Sequence, residues 1–180
     1  MKIKHVLFAG AVLGAAILGV GMLGIGAASA GPEKVEYPKN YQSQYVWLGD
    51  TDRHDNNTIR RLYINPEAFA AARAGQPLPD NTILVLEMRA IQMADGKPVM
   101  KDGRFVPAYN VVGIGVQQKK RGFGTEYADN LRNGDWEYAL FDIDGVRRNA
   151  PTQACLQCHK PRSGEDFTFV AWRVIADLKK

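Results

Sequence analysis

The sequence predicts a mainly β (α+β) domain, an antiparallel sheet accompanied by a few short helices. Stretches 58–64, 82–91, 111–116 and 136–142 are rich in β-branched and aromatic residues, and the first two alternate at the two-residue period of a strand. Asp95-Gly96, Asp102-Gly103, Asn133-Gly134 and Asp144-Gly145 punctuate them with dipeptides that turn a chain back on itself. Helical signals are brief, and no internal repeat or low-complexity linker follows residue 30.

Residues 1–30 stand apart. Lys2 and Lys4 form a basic start, an uncharged run rich in Gly, Ala and Leu extends from Val6 to Ala28, and Ala28-Ser29-Ala30 matches the small-x-small pattern of a signal cleavage site. We read 1–30 as an export signal cut after Ala30, which leaves 31–180 as one domain in the periplasm. The apolar run is also long enough to span a bilayer, so the alternative is an uncleaved anchor, the one circumstance that ties this protein to a membrane. The 150 residues that remain suffice for one domain with a real core.

Within that domain, 32–45 is polar with scattered aromatics and reads as a loose lead-in. After strand 58–64, Asn65 can cap and Pro66 suits the first position of an Ala-rich helix, 67–73, which Gly75 ends. Pro77, Pro79, Asp80 and Asn81 form a turn. Strand 82–91 then sets Thr82, Leu84, Leu86, Met88 and Ala90 on one face and Ile83, Val85, Glu87, Arg89 and Ile91 on the other. The two Asp-Gly turns enclose a short polar hairpin, and Gly113 and Gly115 in strand 111–116 mark a close approach or a bulge. Strand 136–142 stops at Asp144-Gly145, and the apolar stretch 167–175 is expected to close the sheet.

Cys155-Leu156-Gln157-Cys158-His159 is the attachment signature of a c-type haem. Two thiols three positions apart on a helical turn meet the two vinyl groups of one porphyrin edge, and the adjoining imidazole lies under the iron. Structural zinc and a dithiol or disulfide are the competing readings. Zinc normally takes four Cys or His ligands, whereas after residue 30 the chain has two cysteines and, besides His159, only His54. A thioredoxin-like dithiol needs a βαβ setting, whereas Asn149-Ala150-Pro151-Thr152 precedes this motif and Lys160-Pro161 cuts its helix short. Export agrees with haem, which bacteria attach on the far side of the inner membrane.

The formal charge of +4 falls to +2 without Lys2 and Lys4, and the one basic cluster is Lys119-Lys120-Arg121, which gives no case for nucleic-acid binding. That triplet reads as a solvated loop, with docking of an acidic redox partner as the lesser alternative. His54 lies in a polar loop and reads as solvated. Met88, Met93 and Met100 are the residues able to supply a sixth iron ligand, as in electron-transfer cytochromes, although core Met on a strand is commoner.

Trp136-Glu137-Tyr138-Ala139-Leu140-Phe141-Asp142-Ile143-Asp144-Gly145, the motif continued through Lys160-Pro161, and Asp166-Phe167-Thr168-Phe169 together resemble the signature of the cytochrome P-460 family. The similarity extends upstream through Tyr63-Ile64-Asn65-Pro66-Glu67, Leu78-Pro79-Asp80-Asn81-Thr82 and Gly113-Ile114-Gly115-Val116 and covers most of 60–169. The resemblance implies an antiparallel sheet packed over one covalently bound c-type haem, usually in a homodimer, with His159 as the metal ligand and the other face of the iron open. The family holds hydroxylamine-oxidising enzymes, whose lysine crosslinks to the haem, and gas-binding relatives of the cytochrome c′-beta type that lack the crosslink.

In the position matched to that lysine this chain carries Leu86, with Leu84 and Met88 beside it on the same face, which implies an apolar distal wall. Arg60 matches a distal arginine of the enzymatic members. Sharing a face with Leu62 and Ile64, it needs a partner there: a propionate, an iron-bound polar ligand or an internal carboxylate. Ala154 falls about where the enzymes place a catalytic carboxylate. The expected function is binding of a small ligand such as nitric oxide at five-coordinate iron. The alternatives are an oxidoreductase acting on hydroxylamine, nitric oxide or peroxide, and a Met-ligated electron carrier with a redox partner protein.

Overall fold

The computed structural model describes residues 31–170. Strands β1 (Val46–Arg53), β2 (Thr58–Ile64) and β3 (Ile83–Ile91) pair in succession, and a helix, Pro66–Arg73, lies between the second and third. Two small hairpins follow, β4 (Met93–Ala94) with β5 (Lys97–Pro98) and β6 (Met100–Lys101) with β7 (Arg104–Phe105). The chain then returns beside β3 as β8 (Pro107–Lys119), and β9 (Trp136–Phe141) completes a five-stranded antiparallel sheet in the order β1-β2-β3-β8-β9. The fold is thus the mainly β class with few short helices that the sequence predicts.

Strand β2 coincides with its expected bounds, and β3 and β9 each differ by one residue, because these segments carry the alternation that a half-buried strand imposes. Strand β8 is longer than 111–116. Its polar end is recruited by pairing, Gln117 opposite Leu84 and Gln118 opposite Ile83. Strand β1 has no counterpart in the sequence reading. It is an edge strand with a register shift at Gly49, and none of its residues is fully buried, so it lacks an apolar period. Its backbone ladder to β2 is reinforced by charge: Arg61 donates to both carboxylate oxygens of the facing Asp50 at 2.9 and 2.8 Å.

Two expectations are corrected. The lead-in is ordered: a 3-10 turn, Pro32–Lys34, and helix α1 (Tyr41–Gln44) run beneath the sheet, where Val35 and Tyr41 are buried and Tyr37 and Tyr41 pack on Phe141 and Tyr63. The aromatics that look like punctuation in a polar segment are its anchors. The closing strand does not begin at Phe167. Asp166 and Phe167 both take positive φ, 53° and 56°, and form a turn that a bend at 169–170 follows. The rest of that expected strand, 171–175, lies outside the described residues, as does the expected export signal, 1–30.

Each face of the sheet carries its own core. Leu84, Ile64, Trp136 and Tyr138 join Ala68 and Ala72 of α2 (Pro66–Arg73) and Leu156 on one side. Val85, Tyr63, Ile114, Val116 and Ala139 pack with Val35 and Tyr41 on the other. Successive residues of β3 and β9 serve opposite cores, as the period of two requires. Buried Glu87, on the second face, accepts hydrogen bonds from Tyr41 Oη at 2.7 Å and Arg89 Nη1 at 2.9 Å and from Gln42 Nε2, which satisfies a charge that burial would otherwise penalise. Among the described residues no helix is long and apolar enough to cross a membrane.

Candidate functional site

The cysteine motif occupies a short helix, α3 (Gln153–His159), which Pro161 converts into a 3-10 segment, Lys160–Glu165. Leu156 is the residue that docks it. Its side chain is buried in the first core among Ile64, Leu84 and Trp136, a burial that contributes roughly 1.5–3 kcal/mol. Its carbonyl accepts from Asn133 Nδ2 at 3.0 Å, and Asn133, fully buried, also donates to Tyr138 Oη at 3.0 Å. One amide therefore ties α3 to β9. Lys160 adds a clamp, donating to the carbonyls of Asp129 and Arg132 at 2.6 Å each.

With Leu156 pointing inward, Cys155 and Cys158 lie one turn apart, both as free thiols, the first half-buried and the second exposed. Burial, and secondarily the neighbouring Cys158, pushes the Cys155 thiol up. His159 follows in the last turn and is half-buried between the rings of Tyr138 and Phe169, each at a centroid distance of 4.9 Å. Its Nδ1 lies 2.7 Å from the carbonyl oxygen of Phe167. A carbonyl only accepts, so Nδ1 carries the proton and Nε2 is left as the basic nitrogen, with its lone pair free for a metal. Burial, with a further push from the Arg60 charge, holds the imidazole toward its neutral form. The positive φ of Phe167, where a strand was expected, belongs to the turn that presents this carbonyl.

The sheet face toward α3 is built in cross-strand rows. Ile64, Leu84, Gln117 and Tyr138 form the row that merges with the core. The next row is Leu62, Leu86, Gly115 and Leu140, whose three side chains are only half-buried. The last is Arg60, Met88 and Gly113. Gly115 leaves room between Leu86 and Leu140: a Cβ there would sit 3.7 Å from Leu86 Cβ and 3.6 Å from Leu140 Cδ2. At Gly113 the space is occupied by Met88, whose Cε would stand 2.9 Å from an added Cβ.

Leu84, Leu86, Met88 and Arg60 thus share one face, on the side of the sheet that carries α3. Arg60 is half-buried, its Nε is buried without a hydrogen-bond partner, and its charge is felt by both Cys158 and His159. Burial and the nearby Arg53 push its own ionisation down.

The residues fit a flat, largely apolar group. They combine two free thiols and a tautomer-locked imidazole on one helix, a half-buried aliphatic row with a glycine gap facing it, and an unpartnered guanidinium at the margin. Other expected residues lie elsewhere. Met93 and Met100 are exposed on the small hairpins, and His54 is exposed with its ring 4.5 Å from that of Phe105. Lys119 is no solvated loop residue: it donates to Asp166 at 2.7 Å and to the Leu78 carbonyl at 2.9 Å. A cavity of about 650 Å³ opens on the opposite sheet face among Tyr37, Tyr41, Tyr109 and Val112, and no motif residue lines it.

Sequence reasoning missed Tyr138, Asn133 and the Phe167 carbonyl. Tyr138 was open to inference, since it alternates with Trp136 and Leu140 on the face of β9. The other two act through a loop amide and a backbone group that leave no pattern.

The family model described as cytochrome P460 matches residues 38–170, most of the chain. No curated protein matches it. The chain belongs to the cytochrome P460 family and is a haem protein of the c type.

Proposed function

From that membership and the geometry around α3, we propose that the chain is an exported cytochrome with one haem joined to Cys155 and Cys158 and ligated by His159 Nε2, and that it binds a small neutral ligand such as nitric oxide. When bound, the haem supplies an iron that coordinates a diatomic gas. The protein's own part begins with His159. The Phe167 carbonyl fixes its tautomer and raises its basicity, and Tyr138 and Phe169 hold its ring plane.

The observation that carries the choice of ligand is Leu86. It stands at the centre of the half-buried row, in the position matched to the family's crosslinking lysine, with Leu62 and Gly115 on either side. Such a wall offers no hydrogen bond to water or an anion entering the site, and a neutral diatomic needs none.

The oxidoreductase reading keeps one support, the buried Nε of Arg60, which is available to a polar ligand or to a propionate. A second copy of the chain is the partner we expect, since Tyr109, Val112 and Ile143 are exposed around one cavity on the opposite face. The deciding experiment is the absorption spectrum of the reduced protein before and after nitric oxide. A high-spin ferrous spectrum that converts on stoichiometric nitric oxide supports the proposal. A low-spin spectrum points to Met ligation, and a strongly red-shifted Soret band to a crosslinked enzyme.

A further inference from the structure

The first described residue, Gly31, meets an acidic site. The Gly31 backbone nitrogen lies 2.7 Å from Glu126 Oε1, and Gly31 is buried. A Cβ on Gly31 would stand 3.1 Å from Glu33 Oε2 and 3.4 Å from Tyr127 Oη, so those oxygens line the same spot. Tyr127 Oη in turn donates to Glu137 Oε2 at 3.1 Å. Glu137 is fully buried, its Oε1 has no hydrogen-bond partner, and burial, with the neighbouring Glu126 carboxyl, pushes it up to about 7.

Lys34 is the cation within reach of this group, 2.9 Å from Glu126. Arg147 is spent on the carbonyls of Pro32 and Val35, which fixes the segment that carries Gly31. Glu126 thus meets the Gly31 nitrogen, Glu33 and Tyr127 flank its Cα, and Glu137 stands behind Tyr127 and Glu126, with Lys34 the one lysine among the described residues that pairs with the group.

We propose that this is the binding site for a new chain terminus: cleavage after Ala30 makes Gly31 the first residue, and its α-ammonium is held by Glu126 beside Glu137. Water adds across the Ala30–Gly31 amide in a hydrolysis by a signal peptidase. Ala30 leaves as a carboxylate, the C–N bond breaks, and the nitrogen keeps its hydrogen and takes both from water as –NH3+. An amide N–H, which donates once and carries no charge, becomes a cation with three donors, beside the Glu126 carboxylate and within a group of carboxyls that Lys34 alone balances among the described residues. The uncleaved anchor and the bound terminus are mutually exclusive.

The inference rests on export but not on the haem chemistry, so the two fail separately. Haem-loaded protein from the periplasm is sequenced from its N-terminus, then acylated with limiting acetic anhydride at pH 7 and mapped. The chain should begin at Gly31. Its α-amine should react about tenfold more slowly than the same amine in the free peptide 31–39, as expected for a group held one unit above its ordinary value of about 8. Glu126→Gln should restore ordinary reactivity with an unchanged haem spectrum. A start at any other residue, peptide-like reactivity in the wild type, or equal protection in Glu126→Gln overturns the proposal. The first two outcomes need no variant to fold.

Discussion

Asn133→Ala tests whether one buried amide positions the haem helix. Asn133 donates two hydrogen bonds of 3.0 Å, to the Leu156 carbonyl and to Tyr138 Oη, and each contributes roughly 0.5–1.5 kcal/mol. The acceptors are not orphaned by the change. The Leu156 carbonyl keeps the Lys160 N–H, and Tyr138 Oη keeps Gln117 Nε2 at 3.3 Å, so no second desolvation penalty is added. Asn133 Oδ1 is itself buried without a partner, and its removal offsets part of the loss. The net cost is therefore about 1–2 kcal/mol. Urea unfolding of the haem-loaded protein, followed by far-ultraviolet circular dichroism, measures it. Because the Tyr138 ring packs against that of His159 at 4.9 Å, the ferrous Soret band should shift as well. A loss under about 0.5 kcal/mol with an unchanged spectrum would refute the reasoning.

The covalent haem should survive acid–acetone extraction in the parent and be lost in Cys155→Ala/Cys158→Ala, with intact mass as the readout. Retention in the double variant would sink the attachment site. Leu86→Ala should admit water, speeding ligand access and raising the six-coordinate ferric fraction, while Arg60→Leu leaves nitric oxide affinity within about tenfold, on the order of 1.4 kcal/mol. A large loss of affinity in Arg60→Leu with Leu86→Ala silent would favour a polar-site enzyme. Asp52, only 7% exposed, accepts from Arg104 at 2.8 and 2.9 Å and from the Phe105 N–H at 2.9 Å, and the Arg104 bond leads in lowering its ionisation below 3.8. A depressed carboxylate stabilises above its unfolded value and loses that contribution as pH falls through the folded one. Asp52→Asn should therefore cost about 1 kcal/mol near neutrality, discounted because Arg104 is half-exposed, and the gap should close below about pH 4. An equal gap at pH 3 and pH 7 would contradict the assignment.

What was legible in the sequence follows from how local each signal is. Strands β2, β3 and β9 and helix α2 announce themselves through their own residues, and the Cys155 to His159 motif is five consecutive positions. Even the face of β3 was readable: Leu84, Leu86 and Met88 stand on the side of α3, and Val85 and Glu87 on the other. Strand β1 was not, because an edge strand reinforced by Asp50 and Arg61 has no apolar period to display. The stretch 167–170 misled for the opposite reason. Phe167, Phe169 and Val170 are apolar because they pack around His159 and Leu156, a demand that composition cannot distinguish from a strand.

Under the proposed assignment, the two faces of the sheet explain why the haem lies off the cavity lined by Tyr37 and Tyr109. On the side away from α3, the aromatics of the 32–45 segment only partly cover the sheet and leave the cavity between Tyr37 and Tyr109. A ligand held by weak contacts needs such enclosure to remain bound. A group joined by two thioethers does not, since its attachment no longer depends on buried area. What it needs from the protein is a flat apolar surface of the right extent and a nitrogen aimed from a rigid element. The row of Leu62, Leu86 and Leu140 with its glycine gap supplies the first, and the carbonyl-locked His159 the second. In that assignment Leu62, Leu86 and Leu140, half-buried in the protein alone, are the residues that the cofactor would cover.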